Sequence, residues 1–133
     1  MKKIALCGSA KNHVFITKLA DALTDKGFYI FLFPDARSLF QDILPQQTKI
    51  IMAAGLTHDH FGKIKNADYI LFANLGRFIG NSATMELGCA AGLSKHIIAL
   101  NHDEELAREC LFHDVLETED INEIADIFAK KFK

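Results

Sequence analysis

The sequence contains no tryptophan and only two prolines, Pro34 and Pro45. It carries three cysteines, Cys7, Cys89 and Cys110, an odd number without a CxxC pair. That count argues against a disulfide framework and against a structural zinc site. Three reduced thiols in a cytoplasmic protein are the expectation. Charge of neither sign dominates: Lys+Arg total 15 and Asp+Glu 17, for a formal net charge of -2. A protein that grips nucleic acid by neutralising phosphates needs a basic face, so no nucleic-acid partner is expected. Long apolar runs are missing as well. Ile50–Leu56 stops far short of the roughly 18 residues that suggest a membrane span. The stretch Ile4–Cys7 behind Met1-Lys2-Lys3 breaks at Gly8-Ser9, too short for a signal peptide. No linker, repeat or low-complexity tract interrupts the 133 residues, and one domain is expected on a prior of roughly 100–200 residues per domain.

What the chain does have is hydrophobic residues at 50%, 11 phenylalanines among them, arranged in short apolar runs that alternate with amphipathic stretches. Lys3–Cys7 reads as a buried strand ended by Gly8-Ser9. Val14, Leu19, Ala22 and Leu23 fall at helical spacing and stop at Gly27, a C-cap signal. Phe28–Phe33 is a second strand, and Asp35 is placed to cap a helix carrying Leu39, Phe40, Ile43 and Leu44. Residues 46–56 are read as a helix, with Thr57 the N-cap of another short one through Phe61, Ile64 and Ala67. Tyr69–Ala73 and His96–Leu100 are further strands, separated by a loop from Asn74 to Ser82 and a helix from about Ala83 to Ser94. Val115-Leu116 makes a short fifth strand, and Ile121–Phe132 an amphipathic closing helix.

Apolar strands alternating with helices imply βαβ units and a mainly parallel sheet covered on both faces. The expected fold is therefore a Rossmann-like or flavodoxin-like α/β domain of about five strands. Ligands of such sheets sit beyond the carboxyl ends of the strands. That directs attention to the loops Gly8–Asn12, Pro34–Arg37, Asn74–Ser82 and Asn101–Glu104.

The first of these loops has neither GxGxxG nor GxxxxGK[ST], which disfavours a dinucleotide or P-loop site. Gly8 and Ser9 instead offer close backbone approach and a helix N-terminus for a phosphate or sugar hydroxyl, or simply a tight turn. The richest segment runs from Asn74 through Gly76, Gly80, Asn81, Ser82 and Thr84 to Glu86 and Gly88. Here a glycine-bearing loop leaves a strand and enters a helix that Asn81, Ser82 or Thr84 can cap, which places Glu86 in the first turn. A carboxylate there can serve a glycosyl transfer as nucleophile or stabiliser of an oxocarbenium ion, or merely complete a capping box. Thr57-His58-Asp59-His60 gathers ionisable groups suited to acid–base work. A metal on His58 and His60 lacks a third ligand. Phe61, Phe72 and Phe78 read as core or pocket wall, Asp68 as a turn residue, and His96 and His113 as structural.

Asn66–Leu71, Ile79-Gly80-Asn81-Ser82, Glu86-Leu87-Gly88-Cys89-Ala90 and Lys95 before an apolar strand together resemble the nucleoside 2-deoxyribosyltransferase-like family. That family includes deoxynucleoside-monophosphate N-glycosidases. The resemblance covers residues 57–100, and the rest by fold order, and implies cleavage or transfer at the N-glycosidic bond of a nucleoside or nucleoside 5′-monophosphate; no cofactor and no metal are expected. Glu86 matches the family nucleophile. Gly8 and Ser9 match the side bordering the sugar or its 5′ end, joined in the expected pocket by Asn74, Gly80, Asn81 and Ser82. The family also implies a homodimer or higher homo-oligomer, with sites that a neighbouring subunit can complete. In one register the chain departs from the pattern: His60, with Asp59 beside it, stands where the family usually carries an Asp that contacts the sugar and assists proton transfer. His60 or Asp59 then does the acid–base work on a different substrate, or the pocket binds a nucleotide as a non-catalytic sensor.

Overall fold

A computed structural model describes residues 1–34 and 44–133. The helix expected to be capped by Asp35 and to carry Leu39, Phe40, Ile43 and Leu44 lies, up to Ile43, outside the described residues, as does Asp35–Arg37 of the second loop. Five strands, β1 (Lys3–Cys7), β2 (Tyr29–Phe31), β3 (Tyr69–Phe72), β4 (His96–Ala99) and β5 (Asp114–Val115), form one sheet in the order β2-β1-β3-β4-β5. All four pairings are parallel. This is the flavodoxin-like order, in which chain direction along the sheet reverses between β1 and β3. The helices are α1 (His13–Asp25), α2 (Gln46–Asn66), α3 (Asn81–Gly92), α4 (Leu106–Glu109) and α5 (Ile121–Lys131).

Side chains alternate across a strand, so each strand feeds two apolar layers. Ile4 and Leu6 of β1 join Leu71 and Ile98 under α1 and α5, which add Leu19, Leu23, Ile124 and Phe128. Ala5 and Cys7 join Ile70, Phe72 and Ile97 under α2 and α3, which add Ile64, Ala83, Leu87 and Ala90. Val14, expected on the buried face of α1, is 69% exposed. Asp68 does fix a junction: its Oδ2 accepts the Lys3 N–H at 2.8 Å, tying the start of β1 to the entry of β3. His96 and His113 stay structural, His96 Nε2 meeting Asp114 Oδ2 at 2.6 Å and His113 Nδ1 accepting the Ile97 N–H at 3.0 Å.

Three expectations need correction. Residues 46–66 form one helix, not two. Thr57 is interior to it, its hydroxyl donating back to the Ala53 carbonyl at 2.8 Å. Threonine satisfies itself that way inside a helix as readily as it caps one, and Gly55 costs only about 1 kcal/mol there. β2 pairs with β1 only over Tyr29–Phe31, at the edge of the sheet among the described residues, and Leu32 and Phe33 leave the ladder. Finally, α3 begins at Asn81 with Gly80 at its N-cap and no side-chain cap. Glu86 therefore lies in the second turn, not the first, and Thr84 bonds the Gly80 carbonyl instead.

Beyond β3 and β4 the chain is braced by Asn74, which is 1% exposed. Its Oδ1 accepts from the Leu100 and Asn101 N–H groups at 3.1 and 3.0 Å, and its Nδ2 donates to the Asn101 carbonyl at 2.8 Å. Asn74→Ala strands these buried groups, and a loss of about 2–3 kcal/mol is expected, a drop of roughly 6–12 °C in Tm by calorimetry. An unchanged Tm would show the brace to be idle.

The next loop, 101–104, is occupied by internal pairing. Asp103 is buried against Arg108, with Oδ2 and Nε 2.7 Å apart. His102 bridges Glu109 and Glu117. The Glu109 hydrogen bond raises the His102 pKa, and Glu109 is lowered by the Asp103 N–H and by His102. A raised histidine stabilises the fold below its ordinary value, and that support fades as pH rises through the raised one. A lowered carboxylate stabilises above its ordinary range and fails as pH falls through the lowered value. In melting curves against pH, His102→Ala is expected to remove the part of the decline that sets in above the ordinary histidine range; a profile identical to the parent's would refute this.

Candidate active site

The site is built where the sheet reverses, between β1 and β3. Gly8 follows β1, and a Cβ there would stand 3.0 Å from Ile16 Cδ1 and 3.2 Å from the Ala73 carbonyl oxygen. Only glycine lets the loop pass this close to α1 and β3. Ser9 caps the short turn Ala10–Asn12, its Oγ accepting the Lys11 N–H at 3.4 Å. Across from this loop, Phe78 and Gly80 lead into α3. Lys11 Nζ sits 3.8 Å from the centre of the Phe78 ring, joining the two loops by a cation–π contact.

Between them lies a cavity of about 390 Å³, lined by Gly8, Ser9, His13, Phe33, His60, Phe78, Gly80, Asn81, Ser82 and Glu86 among others. Glu86 is 5% exposed. Its Oε1 lies 3.1 Å from His60 Nδ1, and among the described residues Oε2 has no hydrogen-bond partner. His60 Nε2 is likewise buried without a partner. Burial of two such polar atoms costs about 1–3 kcal/mol each when nothing meets them, and both belong to residues that line the cavity. The His60 ring stacks on Phe33, centroids 4.2 Å apart and planes 15° from parallel. Behind Glu86 lies the Cys7 thiol, fully buried; burial, reinforced by the Glu86 carboxylate, pushes its pKa well above the ordinary thiol value. Burial followed by Glu86 also raises Cys89, one turn further along α3. A second cavity of about 190 Å³, between α2 and α3, shares His60, Ser82 and Glu86 and adds Ala53, Leu56, Thr57, Phe61 and Met85.

Most residues singled out in the sequence meet here: Gly8, Ser9, Gly80, Asn81 and Ser82 line the larger cavity with His60 and Glu86. Two do not. Asn74 is spent on the β3–β4 brace. Asp59 is half exposed and pairs with Lys63 at 2.8 Å, on the part of α2 turned from the cavity. Glu86 does not form a capping box: its hydrogen bond goes to His60, 26 positions earlier. His58 and His60, two apart on a helix, do not share a face, and His58 is exposed. Of the phenylalanines read as wall or core, Phe78 lines the larger cavity, Phe61 the smaller, and Phe72 is core. Sequence reasoning missed Phe33 and Lys63. The signal for Phe33 was its place as the last apolar residue before Pro34, at the carboxyl end of a strand. Nothing in the sequence marks Lys63.

No family model matches this chain, and no curated protein sequence matches it. Solved structures do. The CMP N-glycosidase BcmB of Clostridium botulinum is similar over 94% of this chain and 96% of its own, with a TM-score of 0.61 and 16% identity. A conserved protein from Enterococcus faecalis V583 is similar over 98% of this chain and 96% of its own, with a TM-score of 0.53 and 16% identity. The chain therefore shares the five-stranded parallel α/β fold of a CMP N-glycosidase along nearly its whole length.

Proposed function

We propose that this protein cleaves, or transfers across, the N-glycosidic bond of a nucleoside or nucleoside 5′-monophosphate. Glu86 is the nucleophile and His60 the proton donor and acceptor. The observation that carries the reading is the Glu86 carboxylate: it belongs to a buried residue that lines the larger cavity, is held by His60 through one oxygen, and has its other oxygen unpartnered among the described residues. The fold shared with a CMP N-glycosidase supports it.

In this reading Glu86 Oε2 attacks the anomeric carbon. The C–N bond breaks with its electron pair passing to the base, and a proton from His60 Nε2 neutralises the leaving nitrogen. A water or a second base then takes the glycosyl unit from Glu86, giving up its proton to Nε2. Gly8, Ser9, Gly80, Asn81 and Ser82 enclose the sugar and its 5′ end. Asp59, held by Lys63, takes no part. The test is to incubate the protein with purine and pyrimidine nucleosides and their 5′-monophosphates and to follow free base. Release that Glu86→Ala abolishes is expected; no release from any of them ends this reading.

The histidine at position 60 favours one alternative, a nucleotide-binding sensor without turnover. It predicts a raised Tm with nucleotide and no free base. The proposal also includes self-association. Ile50 and Ile51, adjacent on α2, are 60% and 65% exposed, apolar side chains of the kind that a copy of the chain would cover. Sedimentation at micromolar concentration is expected to read a dimer or larger, dissociated by Ile51→Asp; a parent monomer removes this part.

A further inference from the structure

We propose that Phe33 and Lys63 are positioning residues that fix the His60 ring, and with it the neutral tautomer in which Nδ1 carries the hydrogen and Nε2 the lone pair. The inference deepens the role given to His60 above and rests on that reading for its catalytic meaning, though not for its spectroscopic test. An ionised carboxylate only accepts hydrogen bonds, so the 3.1 Å contact between His60 Nδ1 and Glu86 Oε1 requires a hydrogen on Nδ1. The bond made by one ring nitrogen sets the state of the other. Neutral His60 then carries a lone pair at Nε2, a buried atom without a partner among the described residues. That is the state left once Nε2–H has protonated the leaving base; it then takes a proton from the incoming water, which restores the proton for the next turnover.

A single hydrogen bond does not stop an imidazole from flipping about its last torsion, a broad well with two near-equivalent settings. The flip is opposed by Phe33, whose ring lies 4.2 Å away and 15° from parallel. Phe33 itself has no place in the sheet, since the pairing of β2 with β1 ends at Phe31. Lys63 supplies the missing anchor. From one turn beyond Asp59 it donates to the Leu32 carbonyl at 3.0 Å and pairs with Asp59 at 2.8 Å. Its ammonium stands 5.7 Å from the Phe33 ring centre. The strand exit is thereby clasped to α2 at the height of His60. Lys63 and Asp59 touch neither cavity, so they act through Phe33 and His60 alone.

Long-range ¹H–¹⁵N spectra of imidazole-labelled protein read the tautomer directly, without substrate. The parent is expected to show His60 with hydrogen on Nδ1. Lys63→Met and Phe33→Leu are expected to show a mixture with the Nε2–H form, and Phe33→Tyr the parent pattern. Lys63→Met, a partly exposed site, keeps the test available should Phe33→Leu fail to fold. Where base release is measurable, both disruptive variants are expected to lose about 10-fold or more in kcat with KM little changed, and Phe33→Tyr to recover it. A parent spectrum with hydrogen on Nε2, or an Nδ1–H pattern unchanged in both disruptive variants, overturns the proposal. Failure of the N-glycosidase reading alone would appear as the expected spectra with no base released.

Discussion

Glu86→Gln is expected to lower base release by about 10³-fold or more, on the scale seen when a covalent nucleophile is removed. Glutamine keeps the volume of the side chain, and its amide oxygen still accepts from His60 Nδ1, so the cavity retains its shape. What is lost is the negative charge that attacks the anomeric carbon and balances the oxocarbenium ion. Single-turnover release of base, with nucleotide affinity measured in parallel, separates these effects. The expected pattern is near-parental binding with the chemical step gone. A rate within a few-fold of the parent would show that Glu86 is a buried structural acid and nothing more.

His60→Ala carries the second large effect, a fall of about 10²–10⁴-fold for loss of the acid–base group. It also leaves Glu86, 95% buried by the complement of its 5% exposure, without its hydrogen-bond donor, so Tm is expected to shift too. The diagnostic is the leaving base. A substrate whose base departs readily without protonation should lose much less in His60→Ala than one that needs a proton. Equal losses for both would assign His60 to holding Glu86 and deny it proton transfer.

The fold was legible because its signals are local and repeated. β1, β3 and β4 are apolar runs bounded by turn residues, and helical stretches between them allow only parallel pairing. Strand order was not legible, since it depends on which side of the sheet each crossover takes. α2 was split at Thr57 because a threonine ahead of apolar residues reads the same whether it caps a helix or bonds back within one. In the site, Gly8-Ser9 and Gly80–Glu86 stood out by their turn chemistry, and Gly8, Ser9, Gly80–Ala83 and Glu86 line one cavity. The partner of Glu86 was not readable from spacing, because packing of α2 on α3 brings position 60 to position 86. Asn74 misled for a plain reason: a polar residue at a strand end serves a brace or a ligand with the same chemistry. The clasp at Lys63 is a side chain bonding a backbone carbonyl 31 positions away, a pairing with no sequence pattern.

The sulfur at the end of β1 has a use apart from any reaction. Cys7 is sealed in the sheet and its ionisation is suppressed, whereas Cys110 lies open on the surface. An alkylating probe added to the native protein meets Cys110 at once and reaches Cys7 only when the layer beneath α2 and α3 opens. Once Cys110 and the half-buried Cys89 have reacted, the slowest phase of labelling clocks the opening of that layer, with the molecule carrying its own stopwatch.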